Sequence, residues 1–441
     1  MRALVKRIQR PETLLRLLFI AAATLLYAEY LHNYVVIARC SWPELEAAAG
    51  GHSGGQEEAV VRAMVVADTH LLGSRNGHWF DKLRREWHMR RSFQAAVLLH
   101  APDVVIFLGD LFDEGKWCST EEFRAYVVRF SDMFAVPEHT HIIIVPGNHD
   151  IGFHYSISRS LSGRFERAFN VSSVGAVEVR GVLFVTLNSM ALHGDDCYLC
   201  TAAESSIKQL YRELSCSRGD IGPCLSASIK PLLPANLQGA APRPVLLQHY
   251  PLYRVNDAHC SGADAAPDKV KALTFRERWE CLSRDASQQL LSSLQPRLVL
   301  SGHTHYPCTT LHRHPDTPPL EIQVSVDDIM DATVDDPDYA AEEREYMEQQ
   351  QRADKLTRLG SSNKPVVIIP EVTVSSFSWR NNKKPSFAMV TLTRSRHSVY
   401  KCEMAREVTV MYIYISAGVL FLLSLFRRKF WWLEPVYRAL Y

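Results

Sequence analysis

Five short apolar runs in the middle of the chain each end in polar side chains. They read AMVV at 63–66, VVIFL at 104–108, HIIIV at 141–145, VLL at 245–247 and LVL at 298–300. Continuous apolar runs of this length, rich in β-branched residues, are typical of strands buried on both faces of a parallel sheet. Between the first three runs, segments 81–100 and 119–134 have apolar residues at helical spacing. Strands alternating with helices predict a parallel α/β sheet.

The later part of the chain predicts antiparallel pairing as well. Segments 177–180 and 183–187, separated by Gly181, have the pattern of a hairpin. Segment 283–294 predicts a helix before the last of the five runs, and segments 372–374 and 387–392 predict closing strands. From 193 to 248 the sequence is polar, with scattered glycine, proline and cysteine, and we expect an irregular loop there.

A long apolar run lies near each end of the chain. Segment 14–37 follows four basic residues, and segment 408–426 is uncharged and is followed by Arg427, Arg428 and Lys429. Length and flanking charge predict two membrane helices with cytosolic termini. A cleaved signal peptide is the alternative for the first run, and a core helix is the alternative for the second.

These runs divide the chain into predicted regions. They are a cytosolic N-terminus at 1–13, a membrane helix at 14–37, a luminal linker at 38–60, a luminal catalytic domain at 61–406, a membrane helix at 408–426 and a cytosolic tail at 427–441. Within the domain, segment 323–364 has many more acidic than basic residues and predicts a disordered insertion.

Composition adds two constraints. The net charge is +1, so the chain lacks the strong positive charge typical of nucleic-acid binding, and we expect no nucleic-acid partner. Ten cysteines fit an oxidising compartment. Cys197 and Cys200 form a C-x-x-C pair near Cys216 and Cys224; a zinc ribbon, a redox pair and loop-closing disulfides all fit, and disulfides are favoured. The sequon at Asn170 predicts glycosylation if the domain is luminal.

Metal-ligating side chains follow all five apolar runs. In chain order they are Asp68 and His70, Asp110, Asn148 with His149 and Asp150, His249, and His303 with His305. Carboxylate, amide and imidazole groups without thiolate are the donor set of hard or borderline divalent cations. Their repetition at five strand ends predicts a dinuclear metal site at one edge of the sheet.

The ordered set D-x-H, G-D-x-x-D, G-N-H-D, a single His and G-H-x-H, over residues 68–305, resembles the calcineurin-like metallophosphoesterases. The resemblance implies an α/β fold: a sandwich of two mixed sheets flanked by helices, here with one membrane helix at each end. It implies that one metal is held by Asp68, His70 and His305. It implies that the other is held by Asn148, His249 and His303, that Asp110 bridges the two, and that His149 faces the substrate.

The chemistry explains these residue types. Two divalent cations ~4 Å apart lower the pKa of a shared water and neutralise phosphate oxygens during in-line attack. A protonated His149 has the chemistry to supply a proton to the leaving alkoxide, and we expect Asp150 to orient its ring and favour the charged form. Iron-tyrosinate members of the family carry tyrosine where this chain has Asp113, so Mn²⁺, Zn²⁺, Mg²⁺ or Fe²⁺ are favoured. Oxygen-rich ligation favours Mn²⁺ most.

Seven longer segments of the chain resemble an animal branch of the calcineurin-like metallophosphoesterases. They are VADTHLLG, GHWFDKLRREW, LGDLFDEGKW, GNHDIGFHY, LLQHYPLYR, QPRLVLSGHTH and SSFSWRNN. This resemblance implies a manganese phosphodiesterase that removes the ethanolamine-phosphate branch from the second mannose of protein-attached glycosylphosphatidylinositol (GPI) anchors. That reaction would promote recognition by cargo receptors and export from the endoplasmic reticulum to the Golgi. The implied location is the early secretory pathway: endoplasmic reticulum exit sites, the intermediate compartment and the cis-Golgi.

Two other functions fit parts of the pattern. The same chemistry serves a luminal or extracellular metallophosphatase of nucleotides or phosphoproteins. A catalytically inactive cargo adaptor is a third hypothesis, but the presence of all seven ligands and of His149 argues against it.

Overall fold

The computed structural model describes residues 11–45, 58–195, 197–219, 231–237, 239–313 and 368–426. Its helices are α1 (Pro11–Leu26), α2 (His32–Ile37), α3 (Trp79–His100), α4 (Thr120–Met133), α5 (Asn148–Ile151), α6 (Arg159–Phe169), α7 (Tyr198–Arg218), α8 (Asp268–Lys271), α9 (Arg284–Leu294) and α10 (Glu407–Phe426). Its strands are β1 (Val61–Val66), β2 (Val104–Phe107), β3 (His141–Ile144), β4 (Val174–Val179), β5 (Val182–Leu187), β6 (Val245–Leu247), β7 (Leu298–Ser301), β8 (Cys308–Arg313), β9 (Ile368–Thr373), β10 (Ser386–Leu392) and β11 (His397–Glu403). The predicted insertion at 323–364, the predicted cytosolic tail at 427–441 and Cys224 lie outside the described residues.

The described strands form two mixed sheets. The first has the order β11-β10-β1-β2-β3 and the second has the order β4-β5-β6-β7-β9-β8. In the first sheet β1, β2 and β3 are parallel, with Ala63 opposite Val104 and Val104 opposite His141, whereas β10 runs antiparallel to β1. In the second sheet β5, β6, β7 and β9 are parallel, and β4 and β8 pair antiparallel at the edges. This architecture confirms the α/β sandwich of two mixed sheets.

Alternate residues of each central strand face different layers. Val65 and Ile106 join the core between the two sheets, where they meet Phe184 of the second sheet. Val66 and Phe107 face the opposite way, into the core under the helices. Both faces of the central strands are therefore buried, which explains why their sequences are apolar without alternation.

Most elements follow the sequence pattern. The five apolar runs are β1, β2, β3, β6 and β7, and the predicted hairpin is β4–β5. Ser119 caps α4 by accepting the backbone N–H of Glu122, and Ser283 caps α9 in the same way. These capping bonds satisfy amide groups that the first helical turn leaves unpaired, so the predicted helix starts are confirmed.

The expectation of an irregular loop from 193 to 248 is wrong over much of its length, because α7 occupies 198–218. Its buried residues include Leu199, Ala203, Ile207, Leu210 and Leu214, a helical spacing that the polar residues between them obscured. The edge strands β8 and β11 were also missed. Both are largely exposed and alternate with polar residues, so they lack the long apolar run of a central strand.

The helices near the two ends are long and apolar enough to cross a membrane, over Pro11–Ile37 and Glu407–Leu425. In the first helix a π-helical turn at Tyr27–Leu31 joins α1 to α2. A disulfide between Cys40 and Cys402 links the chain after α2 to the strand before α10. Both helices are thereby held on the same side of the α/β domain.

Polar residues that interrupt the first apolar run have defined partners. The Glu29 carboxylate accepts a hydrogen bond from Tyr414 of α10 and lies 3.1 Å from His88 Nε2 of α3. The Asn33 amide oxygen accepts from Ser92, also on α3. These groups face protein, which removes the cost of leaving them unpaired in an apolar environment.

Candidate metal centre

The seven predicted ligands follow the ends of strands from both sheets. Asp68 and His70 follow β1, Asp110 follows β2, Asn148 begins α5 after β3, His249 follows β6, and His303 and His305 follow β7. Because parallel neighbours of one sheet end at the same edge, the polar side chains of each sheet meet there. Stacking of the two sheets brings the two sets together.

One group of donor atoms consists of Asp68, His70 and His305, whose ligand atoms lie within 4.8 Å of one another. The Nε2 atoms of the two histidines are 3.2 Å apart, and Asp68 Oδ1 lies 3.8 Å from His70 Nε2 and 3.6 Å from His305 Nε2. The spacing is that of three donors directed at one point. This is the set predicted for the first metal.

The second group consists of Asp110, His249 and His303, again within 4.8 Å. His249 Nε2 lies 3.1 Å from Asn148 Oδ1 and 3.2 Å from His303 Nδ1. The structure therefore brings together Asn148, His249 and His303, as the sequence pattern predicts for the second metal.

Asp110 lies between the two groups. Its Oδ2 atom is 3.5 Å from His70 Nε2 of the first group and 3.4 Å from His249 Nε2 of the second. Its Oδ1 atom accepts the backbone N–H of His149 at 2.7 Å, which fixes the carboxylate plane. This is the placement required of a carboxylate that bridges two cations.

The ligands are held by backbone in an uncommon conformation. Asp68, His70, Asp110, His303 and His305 all have positive φ, between 43° and 74°. The left-handed conformation costs a non-glycine residue roughly 1–2 kcal/mol and persists at functional sites where the surrounding structure enforces it. Here the two sharp turns after β1 and β2 brace one another, because His70 N–H donates to the Asp110 carbonyl at 2.9 Å.

Two glycines permit the close approach of these turns. Gly109 has φ +90° immediately before Asp110, where a side chain would be strained. At Gly147 a Cβ atom would overlap the backbone nitrogen and the carboxylate of Asp110. The glycine of G-N-H-D is thus required by the space that Asp110 occupies.

Two ligand rings are oriented by hydrogen bonds to their outer nitrogens, and a carboxylate lies beside the outer nitrogen of a third. His249 Nδ1 donates to the Leu108 carbonyl at 2.7 Å, and His303 Nε2 donates to the Trp279 carbonyl at 2.7 Å. His70 Nδ1 lies 3.4 Å from Asp113 Oδ1. Such outer contacts fix the tautomer of a metal-binding histidine and leave its other nitrogen free to bind the ion.

Electrostatics couple the central carboxylate to the imidazoles. Burial by itself raises the pKa of Asp110, but the nearby rings of His249 and His149 outweigh burial and hold the pKa well below its usual value. Burial lowers the pKa of His70, yet the neighbouring carboxylates of Asp113, Asp68 and Asp110 raise the pKa to about 10. The site therefore favours an ionised carboxylate and attracts positive charge.

Two of the four ligand histidines favour the neutral form that binds metal. Burial lowers the pKa of His303 to about 3 and that of His305 to about 4. Asp68 and Asp110 are 0% and 1% exposed, and within the described residues their ion pairs involve only histidines. Buried carboxylates need a compensating cation. Oxygen and nitrogen donors in two groups around a shared carboxylate fit two divalent metal ions.

The sequence profile described as calcineurin-like phosphoesterase matches residues 61–307, the part of the chain that contains all seven ligands. The chain belongs to the calcineurin-like phosphoesterase family. It is accordingly a metal-dependent phosphoesterase, and its His and Asp groups fit the dinuclear centre of that family.

Relatives of this phosphoesterase are similar over almost the whole chain. A protein named metallophosphoesterase 1 from Rattus norvegicus is 41% identical over 96% of this chain and 91% of its own length. Proteins of the same name from Xenopus laevis and Gallus gallus are each 40% identical, over 89% and 92% of this chain and 84% and 88% of their own. Among solved structures, a purple acid phosphatase from Lupinus luteus covers 79% of this chain and 53% of its own, at 10% identity and a TM-score of 0.41.

The two predicted catalytic residues of the phosphoesterase have different surroundings. His149 Nδ1 donates to the Asp113 carbonyl at 2.9 Å, so its ring is oriented by Asp113. The Asp150 carboxylate turns away and accepts the backbone N–H groups of Phe112 and Gly147, each at 2.9 Å. The expectation that Asp150 orients the His149 ring is therefore wrong, and burial lowers the pKa of His149 rather than favouring its charged form.

Asp150 instead ties together the turns that carry the ligands. The hydrogen bond from Phe112 joins the segment after β2 to the segment after β3, and the bond from Gly147 holds the Asp150 carboxylate within its own turn. Burial and the nearby Asp110 carboxylate raise the pKa of Asp150 to about 7.

Sequence reasoning missed the contribution of Asp113, which it treated only as the replacement of a tyrosine. Asp113 contacts His70 through Oδ1, and its Oδ2 accepts from Arg380 at 2.7 Å and from Asn76 at 2.9 Å. Its position in G-D-x-x-D, three residues after Asp110, was the available signal. Arg380 lies within the motif SSFSWRNN, but no local pattern connects it to a carboxylate far away in sequence.

We predict that Asp113→Asn weakens metal binding. The substitution keeps the shape but removes the charge beside His70 Nδ1, and loss of such an outer contact lowers metal affinity roughly 10–100-fold. The measurement is a metal titration in competition with a chelator, with the exposed Asp268→Asn of α8 as control. Equal affinity of Asp113→Asn and the unsubstituted enzyme would show that Asp113 does not support the ligand.

Proposed function

We propose that this phosphoesterase is a manganese phosphodiesterase that removes the ethanolamine-phosphate branch from the second mannose of protein-attached GPI anchors. The motifs quoted for the animal branch of the family support the substrate. The placement of Asp110 between two groups of imidazoles is the single observation that supports the phosphodiester chemistry most strongly. We propose location in the early secretory pathway, with promotion of export of GPI-anchored proteins to the Golgi.

The attachment of the domain to its apolar helices supports a lipid-anchored substrate. The Cys40–Cys402 disulfide and a 2.7 Å ion pair between Arg84 of α3 and Glu407 of α10 link the apolar helices to the domain. The hydrogen bond from Tyr414 to Glu29 links the two apolar helices to each other. If α1–α2 and α10 cross the membrane, the catalytic domain stays at its surface. Enzyme and anchored substrate then share that surface, which raises their effective concentration.

Three disulfides between described cysteines support a luminal orientation of the domain. In addition to Cys40–Cys402, the structure has Cys197–Cys200 and Cys260–Cys308. Disulfides persist in oxidising compartments such as the lumen of the secretory pathway.

The cleft beside the metal ligands has room for part of a glycan. A cavity of about 420 Å³ lies next to His303 and is lined by residues that include Lys271, Arg276 and Tyr306. Ligand sites of this kind typically measure ~300–1,000 Å³. The lining also includes Asp257 and Glu280, and Arg276 pairs with Glu280, so the cavity presents charges of both signs beside the metal ligands.

The residues around the metal ions have separable roles in the proposed reaction. When bound, the two cations activate a water and neutralise the phosphoryl oxygens. Asp110 contacts a histidine of each ligand group and so fixes the position of one group relative to the other. His149 donates through Nδ1 to the Asp113 carbonyl, so Nε2 is the atom that faces the reaction. Nε2 supplies a proton to the leaving alkoxide only after the ring has taken up a second proton.

The substrate is tested by the anchors of cells that lack the protein. We expect their GPI glycans, analysed by mass spectrometry, to carry excess ethanolamine phosphate on the second mannose. The unsubstituted protein and Asp268→Asn should restore the normal glycan, whereas Asp110→Asn should not. Normal glycans in the deficient cells would exclude this substrate and favour a phosphatase of nucleotides or phosphoproteins.

We predict that His149→Ala retains its metal content but loses turnover, because the ligands keep their own supports. General-acid catalysis contributes roughly 10²–10⁴-fold, and the loss should be greatest for phosphodiesters with poor leaving groups. Turnover of an alkyl and a nitrophenyl diester, with metal analysis of the same samples, measures both effects. Equal losses on the two diesters would contradict the acid role.

The proposed orientation predicts a glycan on Asn170. This residue is exposed just after α6, where it adopts positive φ at the helix end. We expect the full chain expressed in animal cells to lose apparent mass on endoglycosidase treatment, and Ser172→Ala to remove that shift. Digestion of the domain by protease added to intact microsomes would instead place it in the cytosol.

A further inference from the structure

A second group of side chains with metal-binding chemistry lies where the chain enters α7. His154, Asp195, Cys197 and Cys200 each offer one ligand atom, and these atoms lie within 4.8 Å of one another. None of the four belongs to the two groups around Asp110. In the structure Cys197 and Cys200 are joined by a disulfide.

The ring of His154 is oriented like that of a metal ligand. Its Nδ1 donates to the Met190 carbonyl at 3.0 Å, which leaves Nε2 to face Asp195 Oδ2 at 2.6 Å. The ring of His193 stacks on it, with centroids 3.8 Å apart and planes 8° from parallel. A backbone carbonyl on the outer nitrogen is the usual support of a metal-binding histidine.

The two cysteines occupy the first turn of a 21-residue helix. Cys197 is the N-cap of α7, and its sulfur accepts the backbone N–H of Cys200 at 3.0 Å. The other oxygen of Asp195 lies 3.3 Å from Cys200 Sγ. A helix N-terminus stabilises negative charge, so both sulfurs are placed where a thiolate is favoured.

Of the three disulfides for which the structure describes both cysteines, Cys197–Cys200 is the one whose loss affects the fold least. It closes a sequence separation of 3, against 48 for Cys260–Cys308 and 362 for Cys40–Cys402. A short closed loop restricts the unfolded chain least and therefore contributes least to stability. Cys197 is also partly exposed, so a reductant can reach its sulfur.

We propose that His154, Asp195, Cys197 and Cys200 form a separate zinc site that becomes available when the disulfide is reduced. A dithiol reductant transfers two electrons and two protons: the S–S bond breaks, two thiols form, and the reductant is oxidised to its own disulfide. Binding of Zn²⁺ then releases the two thiol protons. Two sulfurs, one imidazole nitrogen and one carboxylate oxygen make a four-donor set suited to tetrahedral zinc.

This site is independent of the proposed GPI function, and a thiolate signal distinguishes it from the centre around Asp110. Full-length protein in detergent is reduced with a dithiol, freed of reductant without oxygen and titrated with Co²⁺ as the probe. Thiolate ligands give Co²⁺ a near-ultraviolet charge-transfer band, whereas the centre around Asp110 contains no sulfur. We expect about one equivalent to produce the band, as for a single tetrahedral site. Zn²⁺ should abolish the band, and untreated protein should not show it.

Variants assign the band to these residues. Cys200→Ser should eliminate it, and His154→Ala should raise the Co²⁺ dissociation constant by roughly 10-fold or more, the scale of losing an imidazole and its support. His259→Ala, beside the Cys260–Cys308 disulfide, should leave it unchanged. Three results would overturn the site. One is the absence of the band when alkylation shows that both thiols are free. The others are a Cys197–Cys200 disulfide that the dithiol does not reduce and a band that remains in Cys200→Ser.

Discussion

The Asp110 carboxylate, buried where the two sheets meet, is the interaction on which the rest of the site depends. It contacts an imidazole from each ligand group, and its other oxygen accepts the amide of His149. Removing a carboxylate from water is costly unless positive charge is nearby. The Asp110 carboxylate and its partners are held in place by the left-handed turns, by Gly147 and by the hydrogen bonds from ligand histidines to backbone carbonyls. A preorganised metal centre requires this support.

Much of the fold and of the ligand set was predictable, because both depend on short-range patterns. Each central strand is an apolar run such as 104–108, and its ligand follows within a few residues, so strand and donor are predicted together. What the sequence could not predict depends on contacts between distant segments. The partnership of Asp113 with Arg380 joins two connecting segments far apart in the chain, and α7 has apolar residues hidden among polar ones.

Asp150 shows why a motif does not define a role. It adjoins His149 in G-N-H-D, and adjacency indicated that it would orient that ring. The short helix α5 turns consecutive side chains in different directions, so Asp150 faces backbone amides while the carbonyl of Asp113, in the segment after β2, supports the ring. The anchoring contacts have the same character: Glu29 and Asn33 interrupt an apolar run in the sequence, but they face α3 in the fold.

The most direct test of the central claim is metal analysis and anomalous diffraction of the purified full-length enzyme and of Asp110→Asn. We expect two anomalous peaks in the unsubstituted enzyme, one beside Asp68, His70 and His305 and one beside Asn148, His249 and His303, with Asp110 between them. We expect the Asp110→Asn variant to lose both metals to a chelator under conditions where the unsubstituted enzyme retains them. A single peak, or two peaks retained without the Asp110 carboxylate, would contradict the account.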